Sequence, residues 1–134
     1  MSFVRLVQPV LDRQCGTCHD GTEGPGKSDL VLVDDGRGEF SAAYDNLKPY
    51  VRWYEWGGAS ISQIATRPGE CGADASPLMA ILEDENHGKV QWVEEDRRRL
   101  MLWLDANAPF YGTYESEARL AQRQGKVVPV PLVQ

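Results

Sequence analysis

The residues best suited to chemistry lie near the start of the chain, in "RQCGTCHDG" at residues 13–21. Cys15 and Cys18 are separated by two residues, and His19 follows directly. Thiolates and imidazoles bind metals, and two thiols at this spacing also serve in redox exchange or in attaching a haem. The cluster therefore predicts a zinc site, a dithiol redox pair or a covalent haem.

A zinc site would need four ligands, and Cys15, Cys18, Cys71 and His87 provide a Cys3His set. Zinc ligands usually come in two close pairs, whereas Cys71 and His87 are sixteen residues apart. His19 would also be left unused. The spacing therefore disfavours zinc.

A thioredoxin-like dithiol is expected within a strand–helix–strand context. Here a predicted helix precedes the motif and a glycine-rich loop follows it. This context makes the dithiol interpretation weaker still.

A covalent haem needs the residues that are present. Two thiols three positions apart reach the two vinyl groups of a porphyrin, and His19 then lies beneath the iron as its proximal ligand. A haem is a large apolar disc that must be enclosed, and the chain has long loops, four tryptophans and five tyrosines for that purpose. The motif therefore favours haem.

The elements that must position this motif are mainly helical. Residues 2–15 carry Val4, Val7 and Leu11 on one helical face, and Pro9 either kinks this helix or occupies its first turn. A loop rich in glycine and aspartate follows from residue 20 to residue 38. A short helix is predicted from residue 41 to Leu47.

Two more helices are predicted in the second half. The first of these helices is predicted to be capped by Ser76 and to begin at Pro77. Its apolar face includes Leu78, Ile81 and Leu82. The other begins at the acidic residues 94–96 and ends at Pro109. Its buried stripe is predicted to be Leu100, Trp103 and Leu104.

Composition sets outer limits on function. The chain has 134 residues, enough for one domain, with 42% hydrophobic and 25% charged residues. The net charge of −6 argues against nucleic acid or anionic membranes as partners and suits a basic protein. No apolar run is long enough to span a bilayer. The N-terminus lacks the pattern of a secretion signal, so either a signal was removed or the chain is a module of something larger.

Together, "VQPVLDRQCGTCHDG" and the long segment "RPGECGADASPLMAILEDENHGKVQWVEEDRRRLMLWLDANAPFYGTYE" resemble single-haem c-type cytochrome domains. The second segment, with its W-L-D-x-N-A-P-F-Y-G pattern, is similar to a planctomycete-type branch. That branch includes the C-terminal cytochrome region of proteins like the hydrazine synthase alpha subunit. The resemblance implies a mostly α, class I-like cytochrome c fold with crossing N- and C-terminal helices and haem-wrapping loops. It covers about residues 3–115 as the core of one domain, with 116–134 expected as an extended tail.

The resemblance also implies function. The chain is expected to be an electron carrier rather than an enzyme, holding one haem c and its iron through Cys15, Cys18 and His19. Its partner would be a redox protein or a fused catalytic domain. Because the attachment machinery acts outside the cytoplasm, a periplasmic or otherwise exported location is expected. The alternative is a catalytic or ligand-sensing haem with an open distal face.

The sixth ligand of the iron has two candidates. His87 lies in the polar break "ENHGK" just before the terminal helix, where related domains place their ligand methionine. Met79 lies sixty residues after His19, a separation similar to that in His/Met cytochromes, but beside Leu78 it is more often a core residue. His87 is therefore predicted, with Met79 as the alternative.

Three further residues are candidates for contact with the haem or its propionates. They are Trp53, Trp56 and Arg67. Core or rim positions explain them equally well. Cys71 has no cysteine partner once the motif holds haem, and its role stays open.

Overall fold

The fold was analysed in a computed structural model that describes residues 1–54, 67–87, 90 and 92–128. Within these residues the regular structure is helical and contains no strand, so the mostly α class is confirmed. No helix in the described part is long and apolar enough to cross a membrane. The elements are α1 (Phe3–Leu6), α2 (Gln8–Gln14), α3 (Ala42–Leu47), a 3-10 turn (Lys48–Tyr50), α4 (Pro77–Glu83), α5 (Glu94–Asp105) and α6 (Ser116–Arg123).

The N-terminal helix is divided at Val7 into α1 and α2. Pro9 lies in the first turn of α2, where a missing N–H breaks no helical hydrogen bond. The Val7 N–H still donates to the Phe3 carbonyl at 2.8 Å, so the two pieces stay joined. Of the two alternatives predicted for the proline, the first-turn position is confirmed.

Helix α5 packs against this N-terminal pair. It begins at the acidic residues and buries the predicted stripe of Leu100, Trp103 and Leu104. The ring centroid of Phe3 lies 5.4 Å from that of Trp103. Arg13 donates to the buried Asp96 carboxylate at 2.6 Å, which ties the end of α2 to the start of α5. These contacts fix the end of α2, where the cysteine motif begins.

The end of α5 is made by a left-handed turn rather than by Pro109. Asn107 and Ala108 have φ values of 66° and 45°, and the Ala108 N–H donates to the Trp103 carbonyl at 2.9 Å. The Asn107 amide exchanges two hydrogen bonds with the backbone of Tyr54, at 2.7 and 3.1 Å. Much of the W-L-D-x-N-A-P-F-Y-G pattern therefore closes the helix and anchors a neighbouring loop.

The expectation of an extended tail over 116–134 is wrong for its first part, because Ser116–Arg123 forms α6. The residues of this segment favour a helical conformation, and two arginines hold the helix against the rest of the protein. Arg123 donates to Asp34 at 2.7 and 3.1 Å, and Arg119 to Glu39 at 2.6 Å. Helix α6 therefore binds the loop before α3. The final six residues of the chain lie outside the described part.

A cluster of five aromatic rings, here called the aromatic core, fills the space between α1, α3 and α5. Neighbouring ring centroids lie 4.9–5.6 Å apart, mostly in edge-on or tilted arrangements. Its members are Phe3, Phe40, Tyr44, Trp103 and Phe110.

Candidate functional site

The cysteine motif forms a tight turn directly after α2. The N–H groups of Cys18 and His19 both donate to the Cys15 carbonyl, at 3.0 and 2.9 Å. A Cβ on Gly16 would lie 2.8 Å from the Asp12 carbonyl oxygen, so this turn requires glycine there. The backbone thus holds the thiols and the imidazole in a fixed relation.

The segment after the motif folds back along it. Its N–H groups at Ser28 and Leu32 donate to the Cys18 and His19 carbonyls, at 2.9 and 2.8 Å. The His19 Nδ1 lies 2.9 Å from the Leu30 carbonyl oxygen. A carbonyl only accepts, so Nδ1 carries the proton and Nε2 keeps a free lone pair. His19 is therefore oriented as metal-ligating histidines usually are.

Cys15 and His19 line an apolar cavity of about 200 Å³ that is partly open to solvent. The remaining wall comes from α2, the 28–32 loop, α3, the 3-10 turn and α4. Its residues are Leu11, Ser28, Leu30, Leu32, Leu47, Tyr50, Leu78, Ile81, Leu82 and His87.

His87 lies in the turn that follows α4 and faces His19 across this cavity. The two ring centroids are 6.1 Å apart and the ring planes differ by 18°. Two imidazoles bound to opposite sides of one metal, with bonds of about 2 Å and ring centres roughly 1 Å further out, have centroids about 6 Å apart. The observed gap therefore has the width that a single shared metal ion requires.

Met79 does not share this position. It is 6% exposed, belongs to the hydrophobic core and is absent from the cavity lining. Its α4 neighbours Leu78 and Leu82 face the cavity instead. The geometry thus favours His87 over Met79 as the partner of His19.

The zinc and dithiol interpretations receive no support from the geometry. Among the described residues, which include all the proposed zinc ligands, no three His, Cys, Asp or Glu side chains converge as a metal site. Burial, and then the charge of Cys18, raise the pKa of the Cys15 thiol to about 11. Reactive dithiols instead have a nucleophilic cysteine with a lowered pKa. Cys71 is half-buried and lies away from the cavity lining.

Of the three candidate haem-contact residues, the two that the structure describes, Trp53 and Arg67, do not line the cavity. Arg67 has a side chain that is 83% exposed and approaches Glu70 at 3.8 Å. Trp53 packs against the core and is absent from the cavity lining, and Trp56 lies outside the described residues. Tyr50 was not predicted as a wall residue, although it lies only three positions before the candidate Trp53.

Comparison with known proteins adds no relative. No family model, no curated protein and no solved structure matches this chain. Function is therefore inferred from the cysteine motif and from the geometry around it.

Proposed function

We propose that this chain is an electron-transfer module that carries one haem c, attached through Cys15 and Cys18. His19 and His87 would be the axial ligands. The observation that carries the proposal is the pair of nearly parallel imidazoles, 6.1 Å apart, that line one apolar cavity with Cys15. When bound, the haem iron would supply one-electron exchange between its ferrous and ferric states.

Three of the four proposed haem-binding residues, Cys15, His19 and His87, line the cavity, whereas Cys18 is half-buried and is not among the lining residues. The Leu30 carbonyl leaves the Nε2 atom of His19 free to bind a metal. Cys15 is 7% exposed, within reach of a guest in the cavity, and the wall is predominantly aliphatic. Aliphatic walls favour a large apolar disc because burying it removes apolar surface from water.

Two protein ligands favour electron transfer over catalysis. If His19 and His87 both hold the iron, the protein would leave no coordination position for a substrate. Apart from the thiol and the two imidazoles, the polar side chains that the described residues contribute to the lining are the hydroxyls of Ser28 and Tyr50, so no described carboxylate or amine lines the cavity. A catalytic or sensing haem would need an open distal face.

The net charge and the resemblance to cytochromes suggest the kind of partner and the cellular location. The net charge of −6 suits a basic redox partner, or a basic surface on a fused domain. Covalent haem attachment through a CxxCH motif takes place outside the cytoplasm, so the proposal includes a periplasmic or otherwise exported location.

The direct test is to produce the chain with cytochrome maturation and record optical spectra of the oxidised and reduced protein. We expect low-spin spectra in both states, and colour that stays with the polypeptide after acid–acetone extraction. Colour passing into the solvent, or zinc in place of iron by elemental analysis, would contradict the proposal. A high-spin wild type would instead favour the catalytic or sensing alternative.

A further inference from the structure

The two histidines of the candidate site are held in different ways. The ring of His19 donates to the Leu30 carbonyl, and the backbone N–H and carbonyl of His19 are both hydrogen-bonded. His87 is held through its backbone N–H, which donates to the Asp84 carbonyl at 2.9 Å. Within residues 1–54, 67–87, 90 and 92–128, its ring has no hydrogen-bond partner. The ring contacts that of His19, with a centroid separation of 6.1 Å, but no described group fixes its orientation through a hydrogen bond.

Asp84, whose carboxylate interacts electrostatically with His87, makes no hydrogen bond to the His87 ring. It accepts hydrogen bonds from the backbone N–H and the side-chain amide of Asn86, at 2.9 and 3.0 Å. Its carboxylate thus contributes charge near the imidazole but is not a hydrogen-bonded outer partner that orients the ring. Outer partners of this kind orient a ligating histidine and raise its basicity, and losing one typically costs about 10–100-fold in metal affinity. His87 is therefore expected to be the weaker of the two ligands.

The wall near His87 determines what could take its place. Helix α4, which leads into the His87 turn, presents Leu78, Ile81 and Leu82 to the cavity. None of these side chains donates a hydrogen bond or carries a charge. Donors and polarity in the distal pocket decide which small molecules a haem binds. An aliphatic wall can accommodate a neutral diatomic molecule, but it has no hydrogen-bond donor or charge to stabilise an anion or a peroxide.

We infer that His87 is an exchangeable ligand, and that the reduced module binds a neutral diatomic molecule such as carbon monoxide or nitric oxide in its place. This inference rests on the proposed haem attachment. In the exchange with carbon monoxide, the bond from iron to the His87 nitrogen breaks and a bond from ferrous iron to carbon forms, with no electron or proton transferred. Because carbon monoxide binds only ferrous iron, it would hold the module in its reduced state and stop electron transfer.

The test uses carbon monoxide as the probe on the full, haem-loaded chain. The reduced wild type is mixed with increasing carbon monoxide, and the shift of the main haem absorption band is followed over time. We expect the rate to reach a plateau, since dissociation of His87 becomes limiting. In His87→Ala the rate should rise linearly with concentration and exceed the wild-type plateau. Met79→Leu, the matched control, should behave like the wild type.

The outcomes separate this inference from the proposed function. A low-spin wild type that shows no shift with saturating carbon monoxide, while His87→Ala does, would overturn the exchange and leave haem binding and electron transfer standing. A wild type that is high-spin before any gas is added, and binds it linearly, would overturn His87 ligation and with it the exchange. A chain without haem would refute both.

Discussion

The interior has two halves that are packed in opposite ways. In the aromatic core, each of the five rings has neighbours whose centroids lie 4.9–5.6 Å away, and the polar ends of Tyr44 and Trp103 donate to backbone carbonyls at 3.0 Å. The wall of the cavity is equally apolar but borders about 200 Å³ of space that is partly open to solvent. Protein interiors are normally close-packed, with few voids larger than a water molecule. We therefore propose that the chain packs one half of its interior itself and that the haem of the proposed function fills the other half.

The two halves share their scaffold. Helix α3 gives Tyr44 to the aromatic core and Leu47 to the cavity wall, and α2 ends at the cysteine motif. The packed half can therefore position the open half before any cofactor is bound. Substitutions in the cavity wall should therefore change stability by an amount that depends on haem loading. Substitutions in the aromatic core should have the same effect with and without haem.

The largest expected effect comes from removing both thioether positions. In Cys15→Ser/Cys18→Ser, no covalent bond to haem can form, so any haem that binds through the histidines should pass into the solvent on acid–acetone extraction. The fraction of haem colour that stays with the polypeptide should fall from nearly all in the wild type to nearly none in the double variant. Full retention in the double variant would mean that attachment uses other residues.

A matched pair of truncations compares the two halves directly. Leu104 is fully buried beside the aromatic core, whereas Leu78 borders the cavity. In haem-free protein, Leu104→Ala should cost about 2–5 kcal/mol of unfolding free energy, and Leu78→Ala clearly less because it already faces a void. Urea unfolding measures both.

Haem loading should raise the unfolding free energy that Leu78→Ala costs and bring it closer to the cost of Leu104→Ala, because the haem would pack against Leu78. Equal costs for the two variants in the haem-free protein would show that the cavity closes without its cofactor. If the two variants cost the same unfolding free energy in both the haem-free and the haem-loaded protein, the two halves of the interior would not differ in packing.

Much of this arrangement could be predicted from the sequence, and the exceptions have physical causes. The acidic start and apolar stripe of α5 are local signals, and the structure confirms them. The approach of His87 to His19 is not local, because the two residues are 68 positions apart in the chain. Helix α6 was missed because Arg119 and Arg123 dock it on carboxylates 80 and 89 residues away, which periodicity does not reveal.

A smaller effect concerns the order in which the cysteines react. In haem-free protein at neutral pH, iodoacetamide should modify the half-buried Cys18 and Cys71 before Cys15. Cys15 is buried, and its pKa near 11 keeps it protonated, while alkylation needs the thiolate. Peptide mass spectrometry after brief labelling gives the order. Cys15 reacting first would mean that the cavity is open and wet.

The smallest effect is expected at Cys71, which has no cysteine partner and lies outside the cavity lining. Cys71→Ser should keep the haem spectrum and change the unfolding midpoint only slightly, because a half-buried loop position accepts a side chain of similar size. Loss of haem from this variant would assign Cys71 a role in the site.

The central claim is that His19 and His87 share one metal, and the spin state of the ferric haem tests it most directly. Electron paramagnetic resonance should show a low-spin wild type, a shift towards high spin in His87→Ala, and an unchanged low-spin signal in Met79→Leu, whose volume is nearly conserved. High spin in Met79→Leu, with His87→Ala still low-spin, would contradict the account and assign the ligand to the methionine.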